Sequence, residues 1–240
     1  MNGRGLAYLW FKVSAMGWLV FGRVKAAEAI FELMLQRWPQ DAYALASRSH
    51  VRAQLGRRDE AIADLQALVA AQPERSSAYW FNLAYLLEEA GRYAEAEPAF
   101  RRSLALDAKA DRAWYGLGLV LIRLQRYDEA VAALKKNTEL QPMSPYGWYQ
   151  LARVRFDRQE PEETRKIIRH LKGFEPKVAA QLERETGLVA CRGSFGSVGT
   201  GLIPGEISKE TTRCKYRKGT ASTGRRTCES PASCWRSGSS

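Results

Sequence analysis

The chain has 240 residues, of which 45% are apolar, and its formal net charge is +11 at pH 7. This length provides for one ordinary domain, or for one domain and a tail, and the apolar content is sufficient for a packed core. Every run of 18 residues contains a charged side chain, which argues against a transmembrane span.

Positive charge and cysteine are concentrated near the C-terminal end of the chain. Residues 191–240 contain nine Lys and Arg against three Glu, so they carry more than half of the net charge. The same segment contains all four cysteines, namely Cys191, Cys214, Cys228 and Cys234. Because residues 1–190 contain no cysteine, nothing in them requires an oxidising compartment. We expect a cytoplasmic protein, with a membrane-associated location as the alternative.

The first predicted element is a helix over residues 6–22, with the sequence LAYLWFKVSAMGWLVFG. Its apolar residues occupy nearly the whole circumference, and Lys12 is its one charged residue. A helix of this kind is usually buried in protein or in a membrane. Three interpretations remain open: its outer face docks a partner or a second copy, it contacts or anchors in a membrane, or its apolar residues are tolerated in water.

A spacing of 34 residues recurs along the rest of the chain. Trp80, Trp114 and Trp148 follow it, and four further series repeat with one step of 35 near Ser76. These series are Leu83, Leu117, Leu151; Ala27, Ala61, Ala96, Ala130, Thr164; Phe31, Leu65, Phe100, Leu134, Ile168; and Pro39, Pro73, Ala108, Pro142, Pro176. Such a period predicts stacked copies of one structural unit that share a continuous core. We place five units at about 8–41, 42–75, 77–110, 111–144 and 145–178.

Each unit is predicted to contain two helices. In the first helix, apolar residues lie three and four apart, as in Trp114, Leu117 and Leu121. Glycine marks the turn in the first three units, at positions 22, 56 and 91. The second helix begins with acidic residues, which suit the positive end of a helix dipole. Pro145 and Pro161 are expected at the first positions of the two helices of the last unit. Proline is favourable there because the N–H that it lacks would have no hydrogen-bond partner within the helix.

The pattern W-x-x-L-[GA], G-x-Y-x-x-A, an aromatic residue or Leu, and a closing Pro resembles the tetratricopeptide repeat over roughly residues 8–178. The resemblance implies an all-α, right-handed superhelical solenoid of about five helical hairpins with a concave inner face. The repeated tryptophans would then be scaffold residues. The chain departs from the family pattern at Ala108, Gln125 and Gln159, and Phe11 replaces the first tryptophan.

In this family, ligands usually lie along the inner face, which the first helix of each unit lines. The resemblance therefore implies a partner-binding groove formed by Tyr43, His50, Phe81, Tyr85, Arg112, Tyr115, Arg123, Tyr146, Tyr149, Arg153 and Phe156. Tyr, Phe and Arg are enriched at binding hot spots, so we expect the groove to hold a peptide or helix of a protein partner. The arginines are available for acidic groups. The alternative is that some of the rings pack against neighbouring helices as core.

Two segments follow the repeats. Residues 177–187, KVAAQLERETG, are predicted to form a capping helix with a polar outer face, which closes a domain over residues 1–190. Residues 191–240 are rich in Gly, Ser, Thr, Lys and Arg, and we predict a disordered basic tail. The cysteine spacings there do not fit a zinc site. The tail is either functional or an artefact of reading frame or gene fusion.

The sequence shows no catalytic motif. His50 and His170 are its two histidines and belong to different units, and no nucleotide loop or metal spacing is present. We therefore expect no enzyme activity, no cofactor, no metal and no specific nucleic acid partner. The predicted function is a non-catalytic protein-interaction scaffold or adaptor. Two alternatives remain: a membrane-associated assembly factor anchored by residues 6–22, and a regulatory repeat fragment of a larger enzyme such as a glycosyltransferase.

Overall fold

A computed structural model of the chain describes residues 3–189, and these residues form eleven α-helices with short connections. The predicted tail, residues 191–240, lies outside the described residues. The helices are α1 (Gly3–Val20), α2 (Val24–Arg37), α3 (Ala42–Gln54), α4 (Arg58–Ala71), α5 (Ser77–Glu89), α6 (Tyr93–Leu106), α7 (Asp111–Arg123), α8 (Tyr127–Leu140), α9 (Pro145–Asp157), α10 (Pro161–Phe174) and α11 (Pro176–Thr186).

The helices pair into five hairpins that stack in chain order. Each odd-numbered helix from α1 to α9 packs against the helix that follows it. Each second helix then packs against the first helix of the next hairpin, as α6 does against α7. The last helix, α11, contacts both α9 and α10. The described part of the chain is thus an all-α solenoid of helical hairpins, which confirms the predicted fold class.

Small residues allow these helices to approach closely. A Cβ placed on Gly116 of α7 would lie 2.4 Å from the ring of Phe100 on α6. A Cβ on Gly118 would lie 2.8 Å from Leu134 on α8. Phe100 and Leu134 are themselves fully buried. Each large residue in a second helix therefore needs a small residue on the helix it faces.

The repeated tryptophans connect successive hairpins through hydrogen bonds. The indole N–H of Trp80 donates to the carbonyl of Pro73, at 2.7 Å, in the loop that closes the preceding unit. Trp114 and Trp148 repeat this bond to the carbonyls of Ala108 and Pro142. The three rings are half-buried. They are scaffold residues: each ring is partly buried, and its indole N–H has a hydrogen-bond acceptor.

The turn inside each hairpin requires a left-handed backbone. Gly56 and Gly91 occupy it with φ of 78° and 76°, and in the fourth and fifth units Gln125 and Gln159 occupy it with φ of 60° and 59°. The turn therefore forms with or without glycine. A residue with a Cβ is strained in this conformation, so the two glutamines oppose stability.

An ion-pair network replaces apolar residues in the second unit. Arg48 and Arg52 on α3 both bind the carboxylate of Asp64 on α4, at 2.6 and 2.8 Å. Arg52 also binds Glu28 on α2 at 3.0 Å, and Arg57 binds Glu28 at 2.8 Å. Asp64 and Glu28 are buried. The network therefore joins the first two hairpins through charge, whereas the third and fourth hairpins have leucine at the positions of Arg48 and Arg52.

Replacing Gln125 with glycine should stabilise the protein. Glycine removes the strain of the left-handed conformation, and this effect is larger than the cost of its extra freedom in the unfolded chain. We expect the free energy of unfolding to rise by about 0.5–1 kcal/mol. Urea denaturation followed by circular dichroism measures the change. The reverse change, Gly91→Gln, should lower stability by a similar amount, and a stabilising Gly91→Gln would contradict this account.

Removing Asp64 should destabilise the second unit strongly. In Asp64→Ala, two largely buried guanidinium groups lose their shared carboxylate, and such losses typically cost about 3–5 kcal/mol. The measurement is the same denaturation experiment.

The matched variant copies the third unit, which has Leu83, Leu87 and Ala99 at the positions of Arg48, Arg52 and Asp64. The triple change Arg48→Leu, Arg52→Leu, Asp64→Ala should be neutral or stabilising, because it removes Asp64 together with both of its arginine partners, and Glu28 keeps its ion pair with Arg57. A triple variant as unstable as Asp64→Ala would show that the site needs its charges.

Candidate functional site

The candidate site is the face formed by the first helices α3, α5, α7 and α9. Helix α7 contacts α5 on one side and α9 on the other, so α5, α7 and α9 form one continuous surface. All eleven sequence-predicted groove residues belong to these four helices. They divide into a half-buried group and an exposed group.

The half-buried group contains Tyr43, Phe81, Tyr115 and Tyr149. The ring of Tyr43 lies 6.1 Å from the fully buried Phe31, and that of Phe81 lies 6.0 Å from the fully buried Phe100. Burial raises the pKa of the Tyr115 hydroxyl. The contacts of these rings agree with the alternative that some of them pack as core.

The capping helix engages Tyr149. The Tyr149 hydroxyl donates to the carboxylate of Glu185 on α11, with oxygen–oxygen distances of 2.8 and 2.9 Å. Gln181 of the same helix binds Glu185 at 2.8 Å. Burial and then Glu185 raise the pKa of Tyr149. This pairing was not visible in the repeat pattern, because α11 stands outside the 34-residue period.

The exposed group contains His50, Tyr85, Arg112, Arg123, Tyr146, Arg153 and Phe156. Tyr146 is 70% exposed, Tyr85 46% and Phe156 38%. Tyr85 stacks on Phe81 and donates to the Glu89 carboxylate at 2.9 Å. These rings offer apolar surface that no described residue covers fully.

The three arginines of this group lack the close carboxylate partner that many other described arginines have. Arg112, Arg123 and Arg153 make no salt bridge within 4.0 Å of any described carboxylate, whereas eleven other arginines do. Arg153 lies over the ring of Tyr149, with 5.8 Å between guanidinium carbon and ring centroid. All three are exposed.

This surface also contains an acidic residue that is partly buried. Glu88 on α5 is half-buried, and no described side chain pairs with it in a salt bridge. Burial raises the pKa of its carboxyl, the neighbouring Glu89 raises it further, and Arg123 opposes both. The sequence shows that Glu88 and Glu89 are adjacent on a first helix. It does not show that Glu88 is partly buried, because this depends on the adjacent hairpin.

Two concavities are relevant to the candidate site. One of about 240 Å³ lies at the C-terminal end of this face, lined by Arg153, Phe156, Asp157, Glu185 and Thr186. The larger, about 750 Å³, lies at the start of the solenoid between α1 and the loop before α3. There the Tyr8 hydroxyl donates to Asp41, and burial with this carboxylate raises the pKa of Tyr8 to about 12. The smaller pocket is the one that belongs to the predicted groove.

Residues 3–189 contain no group of three His, Cys, Asp or Glu placed to hold a metal ion. No helix in this range is both long enough and apolar enough to cross a membrane. The two histidines lie apart: His50 contacts Gln54, and the His170 ring packs 4.5 Å from Trp148.

The hairpins, their spacing and their turns match a known family. A family model for the tetratricopeptide repeat matches residues 47–111, 81–145 and 115–167, which together span just over half of the chain. The chain therefore belongs to the tetratricopeptide repeat family, as the sequence pattern predicted. Among curated proteins, no significant match is found.

Several solved structures share this fold. The MamA protein is 17% identical, with a TM-score of 0.65 over 83% of this chain and 100% of that chain. A tetratricopeptide repeat protein from Parabacteroides merdae ATCC 43184 is 19% identical, with a TM-score of 0.67 over 76% and 74%. YrrB, described as a TPR protein with an unusual peptide-binding site, is 17% identical, with a TM-score of 0.64 over 71% and 88%. At these identities the likeness shows the fold alone.

Replacing Glu88 with glutamine should stabilise the protein at pH 7. The pKa of Glu88 is raised in the folded protein, which means that its ionised carboxylate opposes folding. The gain in the free energy of unfolding is therefore fully present above that folded-state pKa. It should shrink as the pH falls through that value and vanish below the ordinary value of 4.5, where Glu88 is protonated in both states. Thermal unfolding from pH 3 to pH 8 measures the difference.

The control for this experiment is Glu32→Gln, which changes an exposed carboxylate on α2. It should leave the pH dependence of the melting temperature nearly unchanged. A gain from Glu88→Gln that persists at pH 3 would show that burial of the charge is not its cause.

Proposed function

We infer that the protein is a non-catalytic adaptor that binds an acidic, partly apolar peptide or helix of a protein partner along the face of α3, α5, α7 and α9. The observation that carries this inference is the set of three exposed arginines without carboxylate partners, interleaved with exposed aromatic rings. Membership of a repeat family built for protein contacts supports a protein ligand over a small molecule.

The arginines favour a ligand that bears carboxylates. Arg112 and Arg123 lie at the two ends of α7, and Arg153 lies on α9, so they span two neighbouring units. A guanidinium group binds a carboxylate through two parallel hydrogen bonds, which gives both strength and orientation. An extended acidic segment could meet all three in succession.

The rings favour a ligand that also has apolar side chains. Tyr146 and Phe156 lie at opposite ends of α9, and Tyr85 lies on α5, so a ligand along the face would meet apolar surface in more than one unit. Rigid aromatic side chains lose little conformational entropy on binding, and they commonly supply hot spots. The pocket bounded by Arg153, Phe156 and Glu185 would receive one side chain of the ligand.

One protein of similar fold supports the proposal that the ligand is a peptide. YrrB is described as a TPR protein with a peptide-binding site, although its identity to this chain is only 17%. We extend only the general idea of peptide binding to this chain. A cytoplasmic location for the adaptor is part of the same proposal, since the described residues contain no cysteine.

A binding experiment with exposed residues tests this proposal without unfolding the scaffold. The full-length chain is immobilised, and a displayed library of random peptides is selected against it. The variant Arg123→Ala, Arg153→Ala, Tyr146→Ala should bind the selected peptides more weakly, by about tenfold for each hot-spot residue lost. Selected peptides should be enriched in Asp and Glu beside apolar residues, and their affinity should fall with added salt.

The matched control changes two arginines and one apolar residue that are equally exposed elsewhere. In Arg75→Ala, Arg169→Ala, Met143→Ala, all three positions lie in loops or on a second helix. This control should bind as the unaltered chain does. Equal loss in both triple variants, or selected peptides without acidic residues, would count against the proposed groove.

A further inference from the structure

Helix α1 carries a stripe of exposed apolar side chains along its outer side. Seven large residues form it, and all are at least half exposed: Leu6, Leu9, Trp10, Val13, Met16, Val20 and Phe21. Their spacing of three, four and seven places them on one side of the helix. The opposite side, with Phe11 and Ala15, packs into the core. We call this set the α1 stripe.

The same face is covered in the later hairpins. Trp10 occupies the repeat position of Ala44 and Ala113, which are buried against the preceding hairpin. Gly147 holds this position in α9, where a Cβ would lie 2.1 Å from the side-chain oxygen of Asn137 on α8. In α1 the face has no such cover: a Cβ on Gly17 would meet none of the described atoms within 4 Å. The α1 stripe is thus a surface shaped to receive a helix.

The size of the stripe argues that it is covered by protein. Weighting each side chain by its exposed fraction gives roughly 900 Å² of apolar surface, against about 300–600 Å² for the largest patch on a typical monomer. One side of a standard protein interface is about 800 Å². The stripe therefore has the area of half an interface.

The other end of the solenoid has the wrong chemistry to cover it. The exposed side chains of α11 are mostly polar or charged, among them Lys177, Gln181, Arg184 and Glu185. A head-to-tail stack of copies would place this polar face on the α1 stripe. The α1 stripe of a second copy is apolar and therefore matches it in chemistry.

We propose that the α1 stripe is the interface of a two-fold symmetric dimer, in which α1 of one copy packs against α1 of a second copy. A two-fold interface buries the same patch on both copies, so it needs a patch that complements itself. The stripe meets this condition, because the one charged side chain between Leu6 and Phe21, Lys12, lies over the ring of Tyr43 at 4.0 Å instead. The dimer would bury no unpaired charge from the segment between Leu6 and Phe21.

Gly17 would allow the two copies of α1 to approach closely. It lies on the stripe between Val13 and Val20, with open space beyond it. Helix axes approach more closely where the contact residue is small. An antiparallel crossing there would also bring the N-terminal end of each helix towards the C-terminal end of the other, which is the favourable alignment of helix dipoles.

Sedimentation velocity of the full-length chain in reducing buffer, over a wide range of protein concentration, tests the proposal. The unaltered chain should sediment as a dimer. Val13→Glu should weaken the dimer by about a hundredfold or more, because it places an unpaired carboxylate in an apolar contact. The control is Met143→Glu: Met143 is 67% exposed and Val13 63%, but Met143 lies in the loop between α8 and α9. This control should remain dimeric.

Three results would overturn the proposal. The first is an unaltered chain that stays monomeric at every concentration. The second is a dimer that Val13→Glu does not weaken. The third is a monomer that floats with vesicles of phosphatidylcholine and phosphatidylglycerol, which would assign the stripe to a membrane surface.

Hydrogen exchange of the unaltered chain keeps the test valid if Val13→Glu fails to fold. Amide protection in residues 6–21 should increase with protein concentration, while that in α7 should not. Protection in residues 6–21 that is independent of concentration would overturn the proposal. Failure of this dimer would leave the proposed groove untouched, because the two surfaces share no residue.

Discussion

The packing of each second helix against the first helix of the next hairpin is the contact on which the rest of the structure depends. One hairpin has two apolar sides and can bury only one within itself, so it is stable only in a stack. Phe100 against Gly116 shows how tight this contact is, since a single added Cβ would overlap the ring. The inner face exists because this contact repeats at a constant interval.

The ends of such a stack must differ from its middle, and this chain ends in two different ways. At the C-terminal end of the repeats, α11 covers the last hairpin and presents Lys177, Arg184 and Glu185 outwards. It also binds Tyr149, so it shapes the end of the inner face. At the other end, α1 presents Trp10 and its apolar neighbours. A polar capping helix can face water, whereas a large exposed apolar surface marks a site of contact with another surface.

Charge has two separate roles in this chain. In the second hairpin, Arg48 and Arg52 are held by Asp64 and act as part of the core. On the face of α3, α5, α7 and α9, Arg123 and Arg153 are exposed and make no salt bridge within 4.0 Å of a described carboxylate. The residue type is the same, and the difference lies in whether the adjacent helix supplies an acidic residue. Function is therefore better inferred from the pairing of the arginines than from their number.

The sequence by itself determined the family, the helical hairpins and their order, because a 34-residue period requires the same contacts in every unit. It also located the turns, since Gln125 adopts the left-handed conformation expected of glycine. The tertiary structure alone decided which inner-face rings are exposed: Tyr146 is open to solvent, whereas Phe81 rests on Phe100. A repeat position tells which residues share a face, but the exposure of each depends on the side chains that the neighbouring hairpin places against it.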